Sequence, residues 1–218
     1  MAQFKLRLSA RPSAAVSVSV SSTKPGEGQP GSATVVIQPS NWTDWLVVPV
    51  NGVDDSVVDG SQAYEIVLSN TSSDDPLFNG LAGRRLAARN DDNDVAAVVV
   101  GGASGGLTTE SGGKLTFSVR LNSQPTADVA IPLQSTRTDE GTVSPSILVF
   151  SSLNWASPKV VTVTGVDDFQ ADDNQAYAIQ IGPAISSDAS YSGLSAPSFA
   201  VTNVDNERSD GGSDIDGL

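Results

Sequence analysis

The sequence predicts an all-β protein built as two tandem immunoglobulin-like antiparallel β-sandwiches, and three observations predict it. The first is composition. The chain is 39% apolar but only 6% aromatic, with 20 glycines and 12 prolines among its 218 residues. Val and Thr fit pleated strands, while Gly, Asp and Asn fit tight reversals, so this mix favours short strands over helices. The second is periodicity. "AAVSVSVSS" alternates strictly at Val16, Val18 and Val20, as a half-buried strand must. The third is self-similarity. At an offset of 113 residues, which sets Phe4 on Phe117, the chain matches itself without a gap to Asp94 on Glu207.

Along that register Leu8 pairs with Leu121, Pro12 with Pro125, Val16 with Val129, Asn41-Trp42 with Asn154-Trp155, and Asn90 with Asn203. So long a repeat is a domain, not a solenoid unit of roughly 20–50 residues. The sequence therefore divides into a first sandwich at 1–94, a second at 95–207 and an acidic linker or tail at 208–218. Strand candidates follow in order. The first copy has "AAVSVSVSS", "SATVVIQP", "LVVPVNG", "AYEIVLS" and "RRLAARN"; the second has "DVAIPLQ", "SILVFSS", "KVVTVTG", "AYAIQIG" and "SFAVTN". Pro, Gly and Asp-rich turns separate them, at a spacing of roughly 8–15 residues that fits a sandwich. "SNWTDW" and "LNWASP" are expected to form single helical turns. Trp42 and Trp155 are expected to plug one end of each sandwich, and Tyr64 and Tyr177, alternating with Ile66 and Ile179, to face the core. The second copy opens with "VAAVVVGGASGGLTTESGGK", which has no counterpart ahead of Phe4. The first copy is thus expected to lack a lead strand, to expose a sheet edge that a neighbouring chain could pair with, and to belong to a longer array.

Charge and missing residue types exclude whole classes of function. The net charge is −13, and no basic cluster exceeds Arg84-Arg85, so nucleic acid is not expected as a partner. No apolar run reaches the length of a membrane span, and the first residues carry no signal-peptide pattern. With no Cys and no His, soft-metal, haem and iron–sulfur sites and Ser-His-Asp or Cys-His nucleophiles cannot be built. Oxygen donors remain, and they suit hard cations, chiefly calcium. No carboxylate sits in an apolar stretch of the kind that tunes a glycosidase acid, so an enzyme is not expected.

The acids gather near strand ends. The first copy has Glu27, Asp54, Asp55, Asp59, Asp92 and Asp94; the second has Glu110, Glu140, Asp167, Asp168, Asp172, Asp205 and Glu207. Two readings fit. Asp is a turn residue whose side chain bonds the backbone two residues on. Alternatively, adjacent carboxylates repel unless a cation lies between them, and calcium takes about six to eight oxygens. Recurrence at matching places in both copies favours the cation.

"TTESGGKLTFSVRLN", "TRTDEGT", "VVTVTGVDDFQADDNQAYAI" and "FAVTNVDNE", in that order, resemble a Calx-beta domain, and in tandem resemble the Calx-beta-like arrays of large bacterial surface proteins. The resemblance covers all of the second copy and all of the first except its lead strand. It implies a calcium-binding sandwich whose Ca2+ ligands fall on the acids named above. Gln62 and Gln175 stand where exchanger domains of that family carry a further glutamate, which implies a lower affinity. The first copy has no counterpart of Glu110, which implies a weaker site there. The function implied is a non-catalytic, extracellular or cell-surface stalk or adhesion module, stiffened by calcium near "NDDND". Its partners would be neighbouring repeats and a surface protein or glycan. A calcium-sensing regulatory domain and a carbohydrate-binding module are the alternatives.

Overall fold

The computed structural model describes residues 2–102 and 105–207; the tail expected at 208–218 lies outside them. Every regular element among the described residues is a strand, and no helix is long and apolar enough to cross a membrane. The chain forms two compact units. The first takes residues up to Asp55 together with Asp59–Asn93; the second takes Ser56–Val58 and the residues from Asp94 onward.

In the first unit the strands are β1 (Ala2–Leu6), β2 (Val16–Ser22), β3 (Gly28–Pro30), β4 (Thr34–Ile37), β5 (Leu46–Gly52), β6 (Gln62–Leu68), β7 (Ser72–Ser73) and β8 (Arg84–Asn90). They make two sheets, ordered β1-β5-β3 and β4-β2-β6-β8, with β7 paired to β2. In the second unit they are β9 (Val98–Gly101), β10 (Gly106–Thr109), β11 (Lys114–Leu121), β12 (Val129–Ser135), β13 (Gly141–Ser144), β14 (Ile147–Phe150), β15 (Lys159–Gly165), β16 (Gln175–Ile181), β17 (Ile185–Ser186) and β18 (Ala196–Val204). Their sheets run β13-β15-β11-β9 and β10-β18-β16-β12-β14, with β17 paired to β12. Among the described strands all pairs are antiparallel but one.

The exception is β10, which runs parallel to β18. The lead segment of the second unit serves both sheets: β9 pairs antiparallel with β11, and β10 then joins β18 in the other sheet. A strand that changes sheets has no hairpin to reverse it, so its direction on the second sheet need not be antiparallel. Gly102 and Gly105 flank the change with φ of 124° and 118°, values that a side chain would resist.

Period-2 burial builds both cores. In β2 the residues Val16, Val18 and Val20 are buried and the serines between them are not. In the second unit the stacked rings of Phe117 and Phe199, 4.6 Å apart between centroids, join β11 to β18 across the two sheets. Tyr191 closes one end: its hydroxyl donates to the Ser123 carbonyl at 2.6 Å and accepts from the Ser123 amide at 3.0 Å. Tyr64 and Tyr177 are both buried.

The two tryptophan segments fold as hydrogen-bonded turns and not as helix. The Asn41 amide donates to the Gln38 carbonyl and the Asn154 amide to the Ser151 carbonyl, while each Asn side chain accepts from the amide three residues earlier. An Asx-type bond of this kind satisfies the backbone locally and stops the helix from propagating. Trp42 and Trp155 are half-buried, and Trp155 packs on the core. Not every repeated acid serves a tip. Asp75 and Asp188 each accept an amide from a distant segment, Ser13 and Thr126 respectively, at 2.8 Å. They are fasteners between segments 62 residues apart.

Candidate metal centre

The ends of five segments of the second unit meet at one tip. Glu110 follows β10, Glu140 closes the turn before β13, Asp167 and Asp168 follow β15, Asp172 precedes β16, and Asp205 and Glu207 follow β18. Strand register brings them together: Gly141 lies opposite Gly165, Gln175 opposite Asn203, and Thr109 beside Val204. Turn geometry then sets each side chain. The Glu140 and Gly141 amides both donate to the Arg137 carbonyl, which tucks the Glu140 carboxylate inward until it is 1% exposed.

Gly141 is required there. A Cβ on it would lie 2.2 Å from the Tyr177 hydroxyl oxygen and within 2.6 Å of its ring, so the tyrosine that floors the tip excludes any side chain. Gly141→Ala is expected to destabilise the second unit by about 1–3 kcal/mol through overpacking. Chemical denaturation should show the loss as a lower midpoint; an unchanged midpoint would mean that the ring moves freely.

Six of the acids form two groups. Glu110, Asp167 and Glu207 bring ligand oxygens within 4.8 Å of one another, and Glu140, Asp168 and Asp172 do the same. Each group holds one buried carboxylate oxygen with no hydrogen-bond partner: Glu207 Oε2 in the first and Asp172 Oδ1 in the second. An orphaned buried acceptor is costly, and a cation would relieve both. Hard carboxylate oxygens with no nitrogen or sulfur donor are what calcium selects. The residues therefore fit the ion.

Their surroundings differ. Around the first group the Asn206 amide donates to Glu110 Oε2 at 3.0 Å, its side-chain amide donates to Asp167 at 2.9 Å, and the Glu207 amide donates to Asp205 at 2.8 Å. None of these donors carries a full charge. Glu207 is accordingly pushed up to about 7, first by the Glu110 carboxylate beside it and then through burial and the nearby Asp205. Asp205 is held below the ordinary range, mainly by the Glu207 amide. With no cation supplied, Glu207 thus holds its proton to a higher pH than an ordinary carboxyl does.

The second group carries its own counter-charge. Arg137 donates to Glu140 at 2.6 Å, to Asp139 at 3.0 Å and to Gln175 at 2.7 Å. Burial raises the Glu140 pKa, while bonds from Asn203 and the charge of Arg137 work against that rise. A guanidinium already on Glu140 competes with an incoming cation. Arg137→Gln is expected to lower the melting temperature without calcium, and to strengthen calcium binding at this group several-fold. Calorimetric titration beside thermal melts checks both; weaker calcium binding in the variant would contradict the competition.

Beneath the acids lies a neutral scaffold. Asn203, 1% exposed, donates to the Val166 carbonyl at 2.9 Å and to Glu140 at 3.4 Å, and accepts from Thr108 at 3.0 Å. Thr108 is also 3.0 Å from the Tyr177 hydroxyl. Arg137, Asn203, Asn206 and Thr108 do not stand out in the sequence as site residues. Asn203 left one signal, its identity with Asn90 across the repeat; Arg137 looks like an ordinary loop cation.

The first-copy acids are arranged differently, and among the described residues no three of them come within 4.8 Å of one another. Glu27, Asp54, Asp55, Asp59 and Asp92 belong to the first unit, and Asp94 to the second. Asp54, Asp55 and Asp59 are exposed. Asp92 accepts the backbone amides of Asp59 and Gly60, at 3.1 and 2.8 Å. Glu27 is half-buried and meets the Asn90 side chain at 3.5 Å. Lys24 occupies the repeat position of Arg137 but donates to Gln62 at 3.0 Å.

No family model and no curated protein matches the sequence. Solved structures give a distant likeness. CBD12 from CALX1.2 is 18% identical, with a TM-score of 0.37 over 86% of this chain and 76% of that one. Domains 4 and 5 of the S-layer protein SbsC are 15% identical, with a TM-score of 0.36 over 86% and 70%. WR4, a C. elegans MSP family member, is 13% identical, with a TM-score of 0.32 over 50% and 98%.

Proposed function

We propose that the chain is a non-catalytic calcium-binding segment of an extracellular or cell-surface protein, a stalk or adhesion module stiffened by the ion. One observation carries the reading. Two neighbouring acidic groups at one tip of the second unit each hold a buried carboxylate oxygen without a partner. Glu110, Asp167 and Glu207 would hold one ion, and Glu140, Asp168 and Asp172 a second. The ion supplies positive charge; the chain supplies donors already gathered by strand register, and few conformations are lost on binding.

Stiffening follows from linkage. The acids come from five separate segments, so an ion that binds only their assembled arrangement stabilises that arrangement by mass action. The ends of β10, β15 and β18 are then held together. In a longer array neighbouring repeats would be its immediate partners, and a surface protein or glycan its ligand. The test is a calorimetric titration of the full chain with calcium, and with magnesium as the control. Saturable calcium uptake, with magnesium weaker, supports the reading; no heat and no uptake would overturn it.

A further inference from the structure

In the second unit β10 is held on its sheet without a hydrophobic anchor. It is four residues long, it stands at the end of its sheet, and it lies beside β18 in the parallel pairing, which is slightly less stable per residue than the antiparallel one. It buries no aliphatic or aromatic residue. Leu107 is 65% exposed, Gly106 has no side chain, and the fully buried position is Thr108. β9, the other half of the lead segment, differs, since Val98 and Val100 pack against the core. Burial of apolar surface is the main force that holds a strand down, and segments without it open first.

Polar bonds hold β10 instead. The Thr108 hydroxyl donates to Asn203 Oδ1 at 3.0 Å and lies 3.0 Å from the Tyr177 hydroxyl. Directly after the strand the Glu110 amide donates to the Val204 carbonyl at 3.2 Å, and Glu110 Oε2 accepts the Asn206 amide at 3.0 Å. Glu110 is 2% exposed, and oxygens of Asp167 and Glu207 lie within 4.8 Å of its own. This end of the strand is fastened firmly when an ion joins the three carboxylates, and pushed away when their charges face one another. Gly102 and Gly105, with φ of 124° and 118°, supply a hinge at the other end.

We propose, resting on the calcium reading above, that β10 is a strap which the ion latches. With calcium at Glu110, Asp167 and Glu207 the strap lies along β18. Without it, repulsion at Glu110 frees the strap, which swings out about its glycine end while β9 stays packed on the core. The edge of β18 from Val201 to Val204 then stands open, and an open edge is a place where another chain can pair. The buried core contains no β10 residue, so the sandwich outlasts the release. Calcium thus decides whether this edge is closed.

The test is hydrogen–deuterium exchange of the full chain at pH 8, with saturating calcium and with a chelator, beside the calorimetric titration. Exchange of the amides at 106–110 should quicken by about tenfold or more on chelation, while those of β11 and β16 change little. Glu110→Gln keeps the shape and removes the repulsion, so its strap should stay protected in chelator and be indifferent to calcium. Calcium uptake with unchanged exchange at 106–110, or with a rise spread evenly over the unit, would overturn the strap and leave the ion's site standing. No calcium uptake at all would overturn both. A Glu110→Gln chain whose strap exchanges fast in chelator and in calcium alike would also overturn it, since the carboxylate would then be a plain structural fastener.

Discussion

Saturating calcium is expected to raise the melting temperature of the second unit by roughly 10 °C. The estimate follows from linkage: an ion at a hundred times its Kd that binds only the folded arrangement adds about 2.7 kcal/mol. In a domain of this size each kcal/mol is worth a few degrees. The first unit, whose acids do not assemble into a comparable group among the described residues, is expected to shift far less. Differential scanning calorimetry should therefore show two transitions that separate as calcium is added. Glu110→Gln is expected to abolish most of the shift, because it removes the most buried acid of the uncompensated group while keeping its shape. Equal shifts in both transitions, or an unaltered shift in the variant, would place the ion elsewhere.

The second large effect concerns pH. With calcium removed, Glu207 holds its proton to about 7, against an ordinary value of 4.5. A folded pKa raised above the unfolded one contributes stability that is complete below the unfolded value and is lost as pH rises through the folded one. The calcium-free protein is thus expected to lose this contribution between pH 4.5 and 7, and Glu207→Gln to remove the loss. Asp205 and Asp188 are held below the ordinary range, so their contributions vanish only in more acidic solution, outside that window. Calcium must displace the Glu207 proton, so affinity should climb as pH rises toward 7, on the order of tenfold per unit for one proton released. Titrations at pH 6 and pH 8 check this. Equal affinities at the two values would show that no proton is exchanged.

How much of this was legible in the sequence varies with the physics involved. Strand identity was legible, because the alternation of Val16, Val18 and Val20 translates directly into burial on a pleated sheet. Pairing direction was not: the same alternation holds for either direction, so the parallel run of β10 on β18 leaves no mark in "GLTT". The recurrence of acids was legible, but recurrence of letters does not place oxygens. Asp205 and its counterpart Asp92 show this. Each accepts backbone amides, as a turn residue does, and neither falls within the groups of three. Arg137 was invisible for a different reason. A lone cation among acids reads as solubility until its distances to Glu140 and Gln175 are known.

The account rests on Glu110, Asp167 and Glu207 tolerating one another because an ion joins them. Anomalous diffraction from crystals grown with calcium tests this most directly. The account predicts a peak about 2.3–2.6 Å from oxygens of all three residues. A tip that keeps these carboxylates together with no peak among them, at calcium concentrations that saturate other hard-cation sites, would contradict it.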